Sequence, residues 1–135
     1  MKNSQKLKGT ALQDFTPYGK KNKVAELESI DLIVGDGEEV PVGATITAHY
    51  TGALVADGTI FESSHDYAGN VVTFGLDEVI EGWTKGVPGM KIGGTRRLLI
   101  PAEQAYGASS PAANIPANSD LVFDIDLVAI PKNGE

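Results

Sequence analysis

The chain has no cysteine, so a disulfide framework and a thiolate metal site are both excluded. It has only two histidines, His49 and His65, with no His-x3-His spacing, and no metal site is expected. No apolar run approaches the ~18 residues that a membrane span needs. The basic opening, Met1-Lys2-Asn3-Ser4-Gln5-Lys6-Leu7-Lys8, lacks an apolar segment behind it. No signal peptide is expected there, and the protein is read as cytoplasmic. Basic residues are also scarce beyond the start. Residues 1–27 carry six lysines against two acids, a net of +4, while residues 28–135 carry five Lys/Arg against sixteen acids, a net of −11. An acidic body argues against nucleic acid as a partner, because phosphate binding needs a basic surface. The basic segment is read as a flexible, solvated extension over residues 1–27.

What remains is a globular chain of one domain, with 41% apolar and 21% charged residues. Strand signals dominate after Glu26. Ser29 to Val34 runs into the turn Gly35-Asp36-Gly37. Thr45 to Val55 alternates, with Ile46, Ala48, Tyr50, Gly52 and Leu54 on one face. Asp57-Gly58 is a strong hairpin signal, because glycine takes the positive φ that tight turns need. Ile60 to Ser63 returns from it. Val71 to Phe74, Thr95 to Ile100 and Leu121 to Ile130 complete the strands. On the last, Leu121, Phe123, Ile125 and Leu127 should face inward, with Asp124 and Asp126 outward. One helix is expected, from Asp77 as N-cap to Val87, with Val79, Ile80, Trp83 and Val87 as its apolar stripe. Gly82 and Gly86 cost about 1 kcal/mol each against alanine, so packing must hold it. A short turn is expected from Ala102 to Tyr106. The pattern predicts an α+β domain over residues 28–135, an antiparallel sheet covered by one amphipathic helix.

The chain has nine aromatic residues, and five sit in short separate motifs: Tyr50, Phe61, Trp83, Tyr106 and Phe123. Converging rings either fill a core or line an apolar pocket. Taken singly, Trp83, Tyr50 and Phe123 read as core residues. Tyr106 stands among loop residues and carries a hydroxyl that needs a partner if buried.

Those motifs carry a resemblance. His49-Tyr50-Thr51-Gly52, Asp57-Gly58, Phe61-Glu62-Ser63-Ser64 and Val79-Ile80-Glu81-Gly82-Trp83 resemble the FKBP family of peptidyl-prolyl isomerases. So do Gly89-Met90-Lys91-Ile92-Gly93-Gly94, Ala105-Tyr106-Gly107, Ile115-Pro116 and Leu121-Val122-Phe123-Asp124. The resemblance spans roughly residues 28–131, in order, and Arg96-Arg97-Leu98-Leu99-Ile100-Pro101 is most similar to bacterial members. It implies a sheet of five to six antiparallel strands wrapped around one short helix. It further implies a pocket walled by Tyr50, Phe61, Tyr106 and Phe123, with Val79, Ile80 and Ile115 beside them and Trp83 as floor. Glu62 would be the single carboxylate inside. The Ile80 N–H and the Tyr106 hydroxyl would hold substrate carbonyls. Implied partners are proline-containing polypeptides and macrolide immunosuppressants, bound by a monomer without cofactor. Three positions depart from the family pattern: Glu62 for the usual aspartate, the short Tyr67-Ala68-Gly69-Asn70 stretch, and Asn114 before Ile115.

Other chemistries fit poorly. Ser64-His65-Asp66 are consecutive, and three adjacent side chains do not make a hydrolase triad. No Gly-x-Ser-x-Gly elbow is present. The glycine-rich stretch 86–94 lacks Gly-Lys-Ser/Thr and a βαβ setting, which excludes a phosphate loop. The rival reading is a peptide-binding or chaperone-like adaptor with little turnover.

Overall fold

A computed structural model gives the arrangement of the chain and describes residues 15–19, 23–64 and 71–131. The stretch Tyr67-Ala68-Gly69-Asn70, His65 and Asp66 lie outside the described residues, as do residues 1–14 of the basic extension. Six strands form one antiparallel sheet: β1 (Glu28–Ile33), β2 (Thr45–Leu54), β3 (Ile60–Ser63), β4 (Val72–Gly75), β5 (Thr95–Ile100) and β6 (Leu121–Ala129). Their order is β1-β5-β6-β2-β3, with β4 also paired to β2. β2 is the central organiser. Thr47 to Leu54 pair with β6, while its other edge pairs first with β4 and then with β3. The Asp57-Gly58 turn joins β2 to β3, with Gly58 at φ 77 and the Thr59 N–H donating to Asp57 Oδ1 at 2.9 Å.

The helix α1 (Glu81–Gly86) lies on the inner sheet face and is shorter than the pattern predicts. Asp77 is not its cap. Ile80 holds that position in extended conformation, φ −60 and ψ 152, with no side-chain cap. Residues 75–78 instead form a turn, in which the Glu78 N–H bonds the Gly75 carbonyl at 3.1 Å. The helix comes very close to the sheet. A Cβ on Gly82 would lie 2.6 Å from Ile100, and one on Gly86 would lie 2.7 Å from Leu98. Its end is capped from β5. Arg96 Nη1 donates to the carbonyls of Gly86 at 2.9 Å and Pro88 at 3.2 Å, and Nε donates to Asp31 at 2.7 Å. A cation there also suits the negative end of the helix dipole.

The main core lies between sheet and helix. It takes Ile46, Ala48 and Tyr50 from β2, Leu98 and Ile100 from β5, and Leu121, Phe123, Ile125 and Leu127 from β6. The outer face carries a second, smaller cluster: Val24, Ala53, Val55, Leu99 and Val122, with Phe15 and Tyr18 against it. The described part of the N-terminal segment is therefore packed on the sheet. The Tyr18 N–H bonds the Val55 carbonyl at 2.9 Å, and the Val24 N–H bonds Asp120 Oδ2 at 2.8 Å.

That cover corrects the expectation for Asp124. It does point to the outer face, yet it is fully buried. Arg97 meets it with two bonds, Nε to Oδ1 at 2.7 Å and Nη2 to Oδ2 at 2.8 Å. The Phe15 ring lies 5.5 Å from the Arg97 guanidinium carbon. Asp126, the next outward acid, is partly exposed and accepts a bond from Thr95 at 3.2 Å.

Candidate active site

A cavity of about 460 Å³ opens between α1 and the inner face of the sheet. That is within the usual size range of ligand pockets. Trp83, 4% exposed, forms its floor. Three rings meet the indole edge to face: Tyr50 at 5.4 Å, Phe123 at 5.3 Å and Phe74 at 5.0 Å between centroids. This is the preferred geometry of aromatic pairs, and each contact contributes about 0.5–1.5 kcal/mol beyond simple burial. The indole is thus held by three rings.

The sheet sets the positions of these rings. Tyr50 pairs with Ile125, and Gly52 pairs with Phe123, across β2 and β6. Buried Ser64 fixes the Tyr50 backbone, whose N–H donates to Ser64 Oγ at 3.0 Å. The turn before α1 brings Val79 and Ile80 to the wall. No acceptor for the Ile80 N–H exists among the described residues, while its carbonyl takes bonds from the N–H groups of Trp83 and Thr84. Tyr106 stands at the rim, 37% exposed. Burial pushes its phenol above the ordinary range, and the nearby Glu62 carboxylate adds to the rise. The hydroxyl therefore keeps its proton, and can donate it, through neutral pH.

Of the residues expected at the pocket, Tyr50, Glu62, Val79, Ile80, Trp83, Tyr106 and Phe123 stand on the cavity wall. Phe61 and Ile115 do not line it. Phe61 supports Phe123 from behind, edge to face at 5.7 Å, because a bulge in the β2–β3 register turns its ring inward. Ile115 is 7% exposed and belongs to the core. The loop that carries it is tied to β3 by Asn114, whose Nδ2 donates to the Phe61 carbonyl at 3.2 Å. Val72, Phe74 and Glu78 also line the cavity, and sequence reasoning missed them. Val72 and Phe74 share a face of β4 opposite Ala48 and Ile46, so the alternation along that strand was the available signal. Glu62 is accordingly not the single carboxylate of the wall.

Comparison with known proteins gives this arrangement a family. A family model described as FKBP-type peptidyl-prolyl cis-trans isomerase matches residues 37–128. The chain belongs to that family. An FK506-binding protein of Neisseria meningitidis serogroup B is 44% identical over 101 residues, covering 74% of this chain and 92% of that protein. The peptidyl-prolyl cis-trans isomerase FPR2 of Saccharomyces cerevisiae is 40% identical over 111 residues, covering 74% of this chain and 82% of its own length. The crystal structure of a peptidyl-prolyl cis-trans isomerase from Pseudomonas syringae superposes with a TM-score of 0.70 at 33% identity. That superposition covers 82% of this chain and 80% of the other. The six-stranded antiparallel sheet with its short helix α1 is thus an FKBP-type fold. No group of three or more metal-ligating side chains occurs among the described residues. No helix among them is long and apolar enough to cross a membrane.

Proposed function

We propose that the cavity isomerises X–Pro peptide bonds of polypeptides without covalent chemistry. The observation that carries the reading is an apolar cavity floored by Trp83, with Ile80 and Tyr106, each carrying a donor, among its lining residues. Rotation about an amide breaks C–N resonance, a barrier of roughly 18–20 kcal/mol. The twisted amide has less charge separation than the planar one. A wall of rings therefore disfavours the planar ground state relative to the twisted state. Trp83 and Phe123 would hold the flat proline ring, with Tyr50 and Phe61 keeping those rings in place. The two donors would hold substrate carbonyls on either side of the turning bond. Each lost donor would then reduce turnover.

Action as a monomer is part of the proposal. Assistance to protein folding follows from the reaction, because X–Pro isomerisation is slow enough to limit folding. Macrolide binding in the same cavity is part of the proposal. It is supported by the relatives named for binding FK506. Protease-coupled or NMR exchange assays on an X–Pro peptide test the reading. Acceleration is expected at micromolar protein. None at that concentration would leave a peptide-binding adaptor.

A further inference from the structure

We infer that this domain favours prolines flanked by lysine or arginine, and that Glu78 and Glu62 set this preference. The inference rests on the isomerase reading and adds a substrate class to it. Among the described residues lining the cavity two are charged, and both are carboxylates: Glu62 on β3 and Glu78 just before α1. Among the described residues, no lysine or arginine stands on the wall. Three described cations of the body are committed elsewhere. Lys85 pairs with Glu81 at 2.7 Å, Arg96 with Asp31 at 2.7 Å and Arg97 with Asp124 at 2.7 Å. Glu78 has no ion pair among the described residues.

Acidic side chains on a surface are ordinarily just a solvated face. These two stand in the wall of a cavity that takes a polypeptide, so residues beside the proline enter their field. The ring-lined wall has low polarity, which focuses that field toward the opening. A cation beside the proline meets attraction from both carboxylates, and an anion meets repulsion. The effect of Glu62 already registers on Tyr106, whose proton it helps to retain. The net charge of −7 acts in the same direction at longer range.

The test measures kcat/KM by NMR exchange, which avoids the charge preference of a coupling protease. Peptides carry Lys, Leu or Glu immediately before or immediately after proline. At an ionic strength of about 20 mM, the better Lys peptide should exceed its Glu counterpart by about fivefold. At 1 M salt, where the screening length is about 3 Å, the ratio should fall below about twofold. Glu78→Gln should cut the low-salt ratio about in half. Glu28→Gln, exposed on the distant edge strand β1, should leave it unchanged. Turnover of the Leu peptide without any Lys/Glu ranking overturns the inference and keeps the isomerase. A ranking that Glu28→Gln weakens as much as Glu78→Gln also overturns it, because bulk charge would then suffice. No turnover of any peptide removes the isomerase reading itself.

Discussion

Removing half of the Arg97–Asp124 pair should cost far more than removing all of it. Asp124 is fully buried, and the Arg97 side chain is 11% exposed. The two are joined by bonds of 2.7 and 2.8 Å. At about 4 Å and an effective dielectric of about 20, two unit charges attract by about 4 kcal/mol. Desolvation of the two groups offsets most of that gain, so the intact pair is close to neutral against well-packed apolar side chains. A single survivor has no such balance. Asp124→Leu takes the bidentate partner from the Arg97 guanidinium, and Arg97→Met takes it from a fully buried carboxylate. Each single change should destabilise by about 3–5 kcal/mol. The double variant Arg97→Met/Asp124→Leu should lie within about 2 kcal/mol of the parent. Urea unfolding, followed by Trp83 fluorescence and circular dichroism, measures all four corners of the cycle. Single variants that lose less than about 1 kcal/mol, or a double variant that loses the sum of the two, would refute the reasoning. The carboxylate would then be hydrated and the outer face open.

Phe123→Ala truncates a side chain that is 4% exposed and touches three other rings, so a loss of about 3–5 kcal/mol is expected in denaturant unfolding. An unchanged midpoint would contradict its place in the wall. Tyr106→Phe removes one donor and should lower kcat/KM about fivefold, the worth of one net hydrogen bond. Because its phenol pKa is raised, the stabilising protonated form is fully present below the ordinary tyrosine pKa, and it is lost as pH rises through the higher folded value. Activity should therefore show no loss from this group between about pH 7 and 9, where an ordinary phenol also stays protonated; a fall there that Tyr106→Phe abolishes would contradict the assignment. Gly82→Ala should destabilise despite the helix-propensity gain of about 1 kcal/mol, because its Cβ would meet Ile100 at 2.6 Å and overpacking costs about 1–3 kcal/mol. A raised melting temperature would mean that the helix stands further off the sheet.

Much of the fold was legible because burial on the inner face writes a period of two into the strands. β3 and β5 fall where the alternation puts them, and β2 and β6 end one residue short of it. The helix start was not legible. Asp77 has the chemistry of a cap, but the turn at Gly75 and Glu78 uses the backbone there first. The burial of Asp124 was not legible for a different reason. Period two says only that a residue lies opposite the core, and solvent is the default for that side. Phe15, Tyr18 and Val24 replace solvent there, although their segment has no strand or helix period to announce a packing role. The pocket followed the same rule. Its rings were recognisable within motifs, but Phe74 stands outside every motif and joins the wall only through the pairing of β4 with β2.

The glycine of His49-Tyr50-Thr51-Gly52 shows what a motif holds that its larger residues do not. Gly52 faces the inner side of β2, opposite Phe123 on β6 and Glu62 on β3. A Cβ there would lie 2.6 Å from the Phe123 ring and 2.8 Å from the Phe61 ring. Both rings therefore lie over the bare backbone of β2, and their edge-to-face contact at 5.7 Å occupies the space that a side chain would need. Phe123 can then reach Trp83, and the cavity closes on that side. Any larger residue at position 52 would push Phe123 toward the indole and narrow the cavity. The aromatic wall thus depends as much on an absent side chain in the central strand as on the rings themselves.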